Sequence, residues 1–265
     1  MNELRVFRFG LTVGRRDFAA FYSNWKVWFL AWGVRSIFAG AMIALLGKLL
    51  GSQEQVHYLL IGNAVIVGAH SAAWAIQSST WDRWDGTYPL LVVSPHGLRS
   101  SVTGRSAIWV FSGVVTSLTT FAALALMFRL TVPFPEGIFV PFCFVVICAS
   151  AYTFALAIGA FVVRVPHARN IVHSFFMTIL AAFTGANVPI AFWPSTIQTL
   201  ALGLPVTHGL RAVRLLLAQA SAWSIVESLA LELLVGFVWF SFAWLAMNRT
   251  ANAGRADGTI DFAGI

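Results

Sequence analysis

Charge is what this sequence has least of. Asp, Glu, Lys and Arg make up 10% of its 265 residues, against about 25% in an average soluble domain. Too few polar side chains are present to cover a globular surface in water, so disordered, nucleic-acid-binding and disulfide-scaffold readings fall away. Cysteine is scarce as well. Cys143 and Cys148 lie inside one apolar run and read as small core residues rather than a redox pair or a disulfide. Catalytic constellations are missing too. The six histidines, His57, His70, His96, His167, His173 and His208, have no spacing that sets two metal ligands on one helical face, and no Ser, His and acid arrangement offers itself. The stretch from Gly40 to Lys48 has six residues between its glycines where a phosphate-binding loop has four, and Leu49 stands where Ser or Thr is required. At the N-terminus Arg15, Arg16 and Asp17 interrupt any short apolar core, so no cleavable leader is expected. The expectation is a chain that is no enzyme and binds no cofactor or metal of its own.

What is present is hydrophobic: 58% of the residues, with a mean hydropathy of +0.79. A bilayer core about 30 Å thick takes roughly 20 helical residues to cross. Six stretches qualify, approximately 27–50, 57–78, 107–128, 138–163, 171–192 and 225–247. The fold class expected is therefore an all-α integral membrane protein, a single transmembrane domain over 1–265. The basic residues orient it. Twelve fall on one side (Arg5, Arg8, Arg15, Arg16 and Lys26; Arg83, Arg99 and Arg105; Arg164 and Arg169; Arg249 and Arg255) and four on the other (Lys48, Arg129, Arg211 and Arg214). That bias places both termini in the cytoplasm, and the net charge of +7 records orientation rather than affinity for nucleic acid.

Three segments stand apart from the spans. In 1–25, Leu4, Phe7, Leu11, Phe18, Tyr22 and Trp25 gather on one helical face with arginines along its flank, the pattern of an amphipathic helix lying in the membrane interface against lipids. In the cytoplasmic loop 79–105, Trp81, Trp84, Tyr88 and Leu91 recur at helical spacing, so one short helix would present aromatics to a partner. The outer segment 185–214 is apolar but broken by Pro189, Pro194 and Pro205, which suggests short helices entering and leaving the outer leaflet.

Single residues add further expectations. Arg35 and Glu232 are the charges set deepest in the spans, where each costs roughly 2.5–3.5 kcal/mol, and similar depth suggests that they pair. The alternatives are an Arg35 that snorkels inward and a Glu232 or Glu227 that binds a backbone group or water in the outer vestibule. Ala151, Ala155 and Gly159 form a ridge of small residues suited to close helix packing, and Gly47 with Gly51 a shorter one. Phe175, Phe176 and Phe183 are candidates to line a path for an amphipathic or lipidic substrate.

The run Trp84-Asp85-Gly86-Thr87-Tyr88-Pro89-Leu90-Leu91-Val92-Val93-Ser94-Pro95 resembles the cytoplasmic loop of ABC-transporter permeases of the type-2 exporter class (ABC-2). Pro189 through Pro194, Gln198, Pro205 and Arg211 are similar to that family's outer connection between its fifth and sixth spans. Tyr88-Pro89 stands where a Glu often follows the Thr, so no acidic contact is carried over there. The resemblance covers essentially the whole chain. It implies a permease subunit of an exporter in the cytoplasmic membrane, with a bacterial source. Its partners would be two copies of a separate ATPase holding ATP and Mg, and a second permease copy or homologue. It further implies that Trp81, Trp84, Asp85, Gly86, Thr87 and Leu91 couple to the ATPase, and that Pro189, Trp193, Pro194 and Pro205 form an outer gate. Two other classes compete. A membrane-embedded lipid-modifying enzyme needs a cluster of His, acid or metal ligands, and an ion-coupled carrier needs internal repeats and several buried ionisable groups.

Overall fold

A computed structural model describes residues 3–49, 51–84, 86–93 and 97–256, and every regular element in them is helical. The chain opens with α1 (Glu3–Phe21), then α2 (Trp25–Trp28), which passes through a π-helical segment, Phe29–Val34, into α3 (Arg35–Leu49). Next come α4 (Gln53–Ala72), α5 (Trp74–Ser78), α6 (Trp81–Trp84), α7 (Tyr88–Val93) and α8 (Gly97–Ser106). The remainder is α9 (Ile108–Phe128), α10 (Val140–Val162), α11 (Arg169–Phe183), α12 (Ser195–Leu202), α13 (Thr207–Leu217) and α14 (Ala222–Ala256).

Among the described residues, four helical runs are long and apolar enough to cross a membrane: Gln53–Arg83, Arg99–Phe128, Glu136–Val162 and Ala222–Thr250. They contain the expected spans 57–78, 107–128 and 225–247 and nearly all of 138–163. A fifth candidate is α12 with α13, bent by 87° at the intervening break. Two expectations need correction. The expected span 27–50 is helical through Leu49 but interrupted by the π segment, which leaves α3 as a 15-residue helix. The region 171–192 is not one helix. α11 also has 15 residues, about 22 Å at 1.5 Å per residue, and ends where Gly185 adopts φ +83°, a conformation open to glycine and costly for other residues.

Local chemistry explains several boundaries. Ser52 caps α4, its Oγ accepting from the N–H of Gln55 at 3.3 Å. After α5, three successive hydroxyls turn back on the backbone. Ser78 donates to the Ala75 carbonyl, Ser79 to Ile76 and Thr80 to Gln77. Such bonds compete with the helical ladder and fall where α5 gives way to α6.

α10 is the centre of the molecule. It is buried along nearly its whole length, with Phe144, Ile147, Leu156 and the ridge Ala151, Ala155 and Gly159 packed inside, and it touches α4, α5, α9, α13 and α14. Gly159 meets Ile76 and Ser79 of the same chain, so this ridge serves internal packing. Gly47 packs on the backbone of Gln55 and Val56, whereas Gly51 sits in an open turn. Small residues also bring α4 and α9 together: Gly68 lies against Gly113 and Ser117, and Ser117 donates to the Ala64 carbonyl at 3.0 Å. On the outside, α14 exposes Leu233, Leu234, Phe237, Val238 and Leu245, an apolar surface whose natural solvent is lipid.

α1 does not lie free. Its buried line runs through Val6, Gly10 and Gly14, and it crosses α8 at backbone contact. A Cβ on Gly14 would stand 2.0 Å from the Arg105 carbonyl oxygen, and one on Gly104 would stand 2.3 Å from that of Phe7. Leu4 and Phe9 are exposed, as are Arg5, Arg8, Arg15 and Arg16. The closest approach to the protein is thus made by glycines, with Phe18 reaching Trp109 farther along the helix.

Gly14→Val should unseat α1, since overpacking of this kind costs typically about 1–3 kcal/mol. Trypsin should then cut at Arg15 and Arg16 several times faster than in the parent protein, while Ala19→Val, at an exposed position of the same helix, should leave the cleavage rate unchanged.

Candidate functional site

At one end of the molecule a single guanidinium joins three elements. Arg105, in the last turn of α8, donates from Nε to Asp17 Oδ2 of α1 at 2.7 Å and from a terminal nitrogen to Asp82 Oδ1 of α6 at 2.6 Å. Asp82 is buried. It also accepts from Thr87 Oγ1 at 3.0 Å, and its carbonyl takes the Thr87 N–H at 2.8 Å. Glu3 and Arg99 add a second α1–α8 ion pair. Behind this corner, Trp109 stacks on Trp74 at 5.5 Å and meets Trp81 and Phe18 edge-on. Charged pairs of limited exposure stabilise only when their remaining hydrogen-bonding capacity is met, and here Thr87 and two carboxylates meet it.

This geometry corrects the expected form of the coupling segment. Trp81 to Leu91 is not one helix with its aromatics outward. α6 and α7 are separated by a turn at Gly86, with φ +69°. Tyr88 is 1% exposed beneath the Arg83 guanidinium, 4.3 Å from its ring centroid. Leu91 is half-buried, while Leu90 is 73% exposed. Asp85 and Ser94 to His96 lie outside the described residues, as does the side chain of Trp84.

The opposite end is built around α12 and α13. Pro194 precedes α12, Gln198 Nε2 donates to the Trp193 carbonyl at 2.8 Å, and Trp193 meets Phe183 edge-on at 5.0 Å. Pro205 is buried. The bend is held by Thr207 Oγ1 on the Ala201 carbonyl at 2.8 Å and by His208 Nε2 on that of Leu202 at 3.0 Å. Val206, before α13, adopts φ +79°, a region that a β-branched residue occupies only under strain. Glu232 holds it there. This carboxylate is fully buried in α14 and accepts the N–H groups of Val206 at 2.6 Å and Gly209 at 2.9 Å. It satisfies orphan donors of the first turn of α13 and places negative charge at the positive end of that helix.

The expected pair between Arg35 and Glu232 is therefore not formed. Glu232 is held by the backbone N–H groups of Val206 and Gly209. Helix-depth arithmetic misses this because the donors come from a helix N-terminus, not from a side chain. The three phenylalanines are not brought onto one lining either. Phe176 is buried 5.0 Å from Phe154, Phe175 is 66% exposed, and Phe183 packs on Trp193.

Several groups were not singled out by sequence. Arg214 of α13 stacks on Tyr58, 3.5 Å above its ring, and donates to the Tyr58 and Ala186 carbonyls, while the Tyr58 hydroxyl donates to Gly185. Close by, a recess of about 400 Å³ is lined by Tyr58, Asn187, Pro189 and Phe192. His70 of α4 and His173 of α11 bring their Nε2 atoms to 3.5 Å. No group of three or more His, Cys, Asp or Glu suited to a metal occurs among the described residues. Net charge and hydropathy patterns carry no signal for these pairings, which join residues 88 to 156 positions apart in Arg105–Asp17, His70–His173 and Arg214–Tyr58.

A family model described as ABC-2 type transporter matches residues 11–218, from within α1 to the end of α13. No curated protein matches the chain.

Replacing Glu232 by Ala leaves two buried N–H groups without an acceptor, at about 1–3 kcal/mol each, and releases the strained Val206. Thermal unfolding of the detergent-solubilised protein should begin several degrees lower. Glu232→Gln, which keeps one acceptor oxygen, should recover at least half of the loss.

Proposed function

The chain belongs to the ABC-2 type transporter family, and from that premise we propose that it is the permease subunit of an ATP-driven exporter. The family supplies membrane transport components that are not themselves catalytic and that typically work with an ATPase partner, and the chain is a multi-pass membrane protein. Hydrolysis, with ATP and Mg, then belongs to two copies of a separate ATPase subunit, and a second permease copy or homologue completes the assembly. The bias of basic residues supports an orientation with both termini, α1 and α6–α8 in the cytoplasm, in a bacterial cytoplasmic membrane. In that orientation α3 and α11 join the four long runs in a six-span layout, and the bent α12–α13 pair is an outer re-entrant segment.

The observation that carries the mechanism is the Arg105 node. Force applied by a closing ATPase to α6 and α7 has three rigid exits: back along α5 and α4, through Asp82 and Arg105 into α8 and α9, and through Asp17 into α1. ATP binding favours the arrangement of spans that the ATPase contacts better, and only that differential contact supplies energy. Asp82, Thr87 and Gly86 act here by shaping the α6–α7 turn, and Leu90 with Leu91 forms its contact surface. At the far end, α12–α13 with Pro189, Trp193, Pro194 and Pro205 is the element whose tilt opens the outer path.

Co-purification of the full chain with an ATPase subunit encoded beside it tests this reading. Leu90→Asp, on an exposed side chain, should weaken ATPase association about tenfold, as loss of an interface anchor does, without changing the permease's own unfolding temperature. A parent chain that never retains an ATPase overturns the exporter assignment. A Leu90→Asp chain that binds and stimulates ATPase normally overturns the placement of the contact on α7.

A further inference from the structure

A small recess on the flank of α3 answers a question left by the failed pairing of Arg35. Arg35, Ser36 and Ala39 of α3 and Ile66, His70 and Ser71 of α4 line a cavity of about 130 Å³, several times the ~10–15 Å³ that one water occupies. Arg35 and Ala39 are exposed and Ser36 and Ser71 are buried, so the recess opens on the outer side of α3 and closes on α4. Arg35 stands ten residues beyond Trp25, where the helical run begins, or about 15 Å along its axis. A guanidinium at that depth costs a few kcal/mol unless an anion or water meets it, and its carboxylate candidate, Glu232, is taken by α13.

We propose that this recess binds the anionic headgroup of an amphiphile, a phosphate ester above all. A guanidinium donates in a fork that matches phosphate oxygens. Ser36 supplies a hydroxyl, His70 lines the wall on the facing helix, and Ala39 and Ile66 offer apolar surface for the first carbons of a chain. His173, 3.5 Å from His70, holds that ring from behind, so the site is pre-organised from α3, α4 and α11. The binding site stands on this geometry alone. Its role as a cargo site rests on the exporter reading.

The experiment uses the full chain without any ATPase, so its outcome is separate from that of the exporter test. Native mass spectrometry of the purified protein, titrated with phosphatidylglycerol or phosphatidylcholine, reads retention of each lipid. The parent chain should retain phosphatidylglycerol at least tenfold more tightly. Arg35→Gln should lose that preference and Arg35→Lys should keep part of it. Ala39→Phe, which fills the recess and leaves every charge in place, should lose it as well and serves if Arg35→Gln does not fold. Competition with inorganic phosphate distinguishes the source: displacement at millimolar concentration identifies a free-phosphate site, and resistance identifies a lipid headgroup. Equal retention of the two lipids by the parent chain, or undiminished preference in Arg35→Gln or Ala39→Phe, overturns the proposal.

Discussion

A single buried carboxylate organises one end of this molecule. In hydrocarbon a backbone N–H without an acceptor costs several kcal/mol, and a helix that begins inside the protein brings up to four of them. α13 begins there because Pro205 and the bend before it prevent continuation from α12. Glu232 is the answer to those donors, and the remaining contacts follow from it. With α13 seated, Arg214 reaches Tyr58 and the carbonyl of Ala186, the turn at Gly185 is tied to α4, and Gly209 lies close against Ile147 of α10. Loss of the carboxylate would leave an irregular chain at a depth that tolerates none.

The other end follows a different logic. Arg105 is ionic glue between elements that have little apolar surface to share, and glycines at positions 10, 14 and 104 bring the backbones close enough for the ions to meet. Between the two ends runs α10, buried over most of its surface. Ends held by specific polar contacts and a middle held by close packing form a body that transmits displacement instead of absorbing it, because a packed core shifts between discrete arrangements and does not deform continuously.

Much of this was legible in the sequence, and the limits are physical. Long apolar runs define three crossing helices within a few residues and the whole of α10, because length and hydropathy alone decide them. Three prolines located the break at α12–α13. The position of α1 as a separate helix was legible, its seat was not: a face recognised by side-chain hydrophobicity cannot register glycines, which contribute by having no side chain. Helical spacing placed Tyr88 with Trp81 on one outward face, but the left-handed turn at Gly86 breaks that register and turns Tyr88 inward. Arg105 was legible only as one more positive charge fixing orientation. Its partners, Asp17 and Asp82, are distant in sequence, and nothing local distinguishes them from other acids.

The glycine seat of α1 also bears on how the chain is made. Gly10 and Gly14 rest against Ser101 and Arg105, so the seat does not exist until about 90 further residues have been synthesised, on the order of 5–20 s at ordinary elongation rates. During that interval the nascent helix has only the membrane surface to hold it. Its outward arginines, Arg5, Arg8, Arg15 and Arg16, carry the charge that anionic headgroups attract and are exposed in the folded chain. α1 thus waits for α8 before it can find its place in the fold.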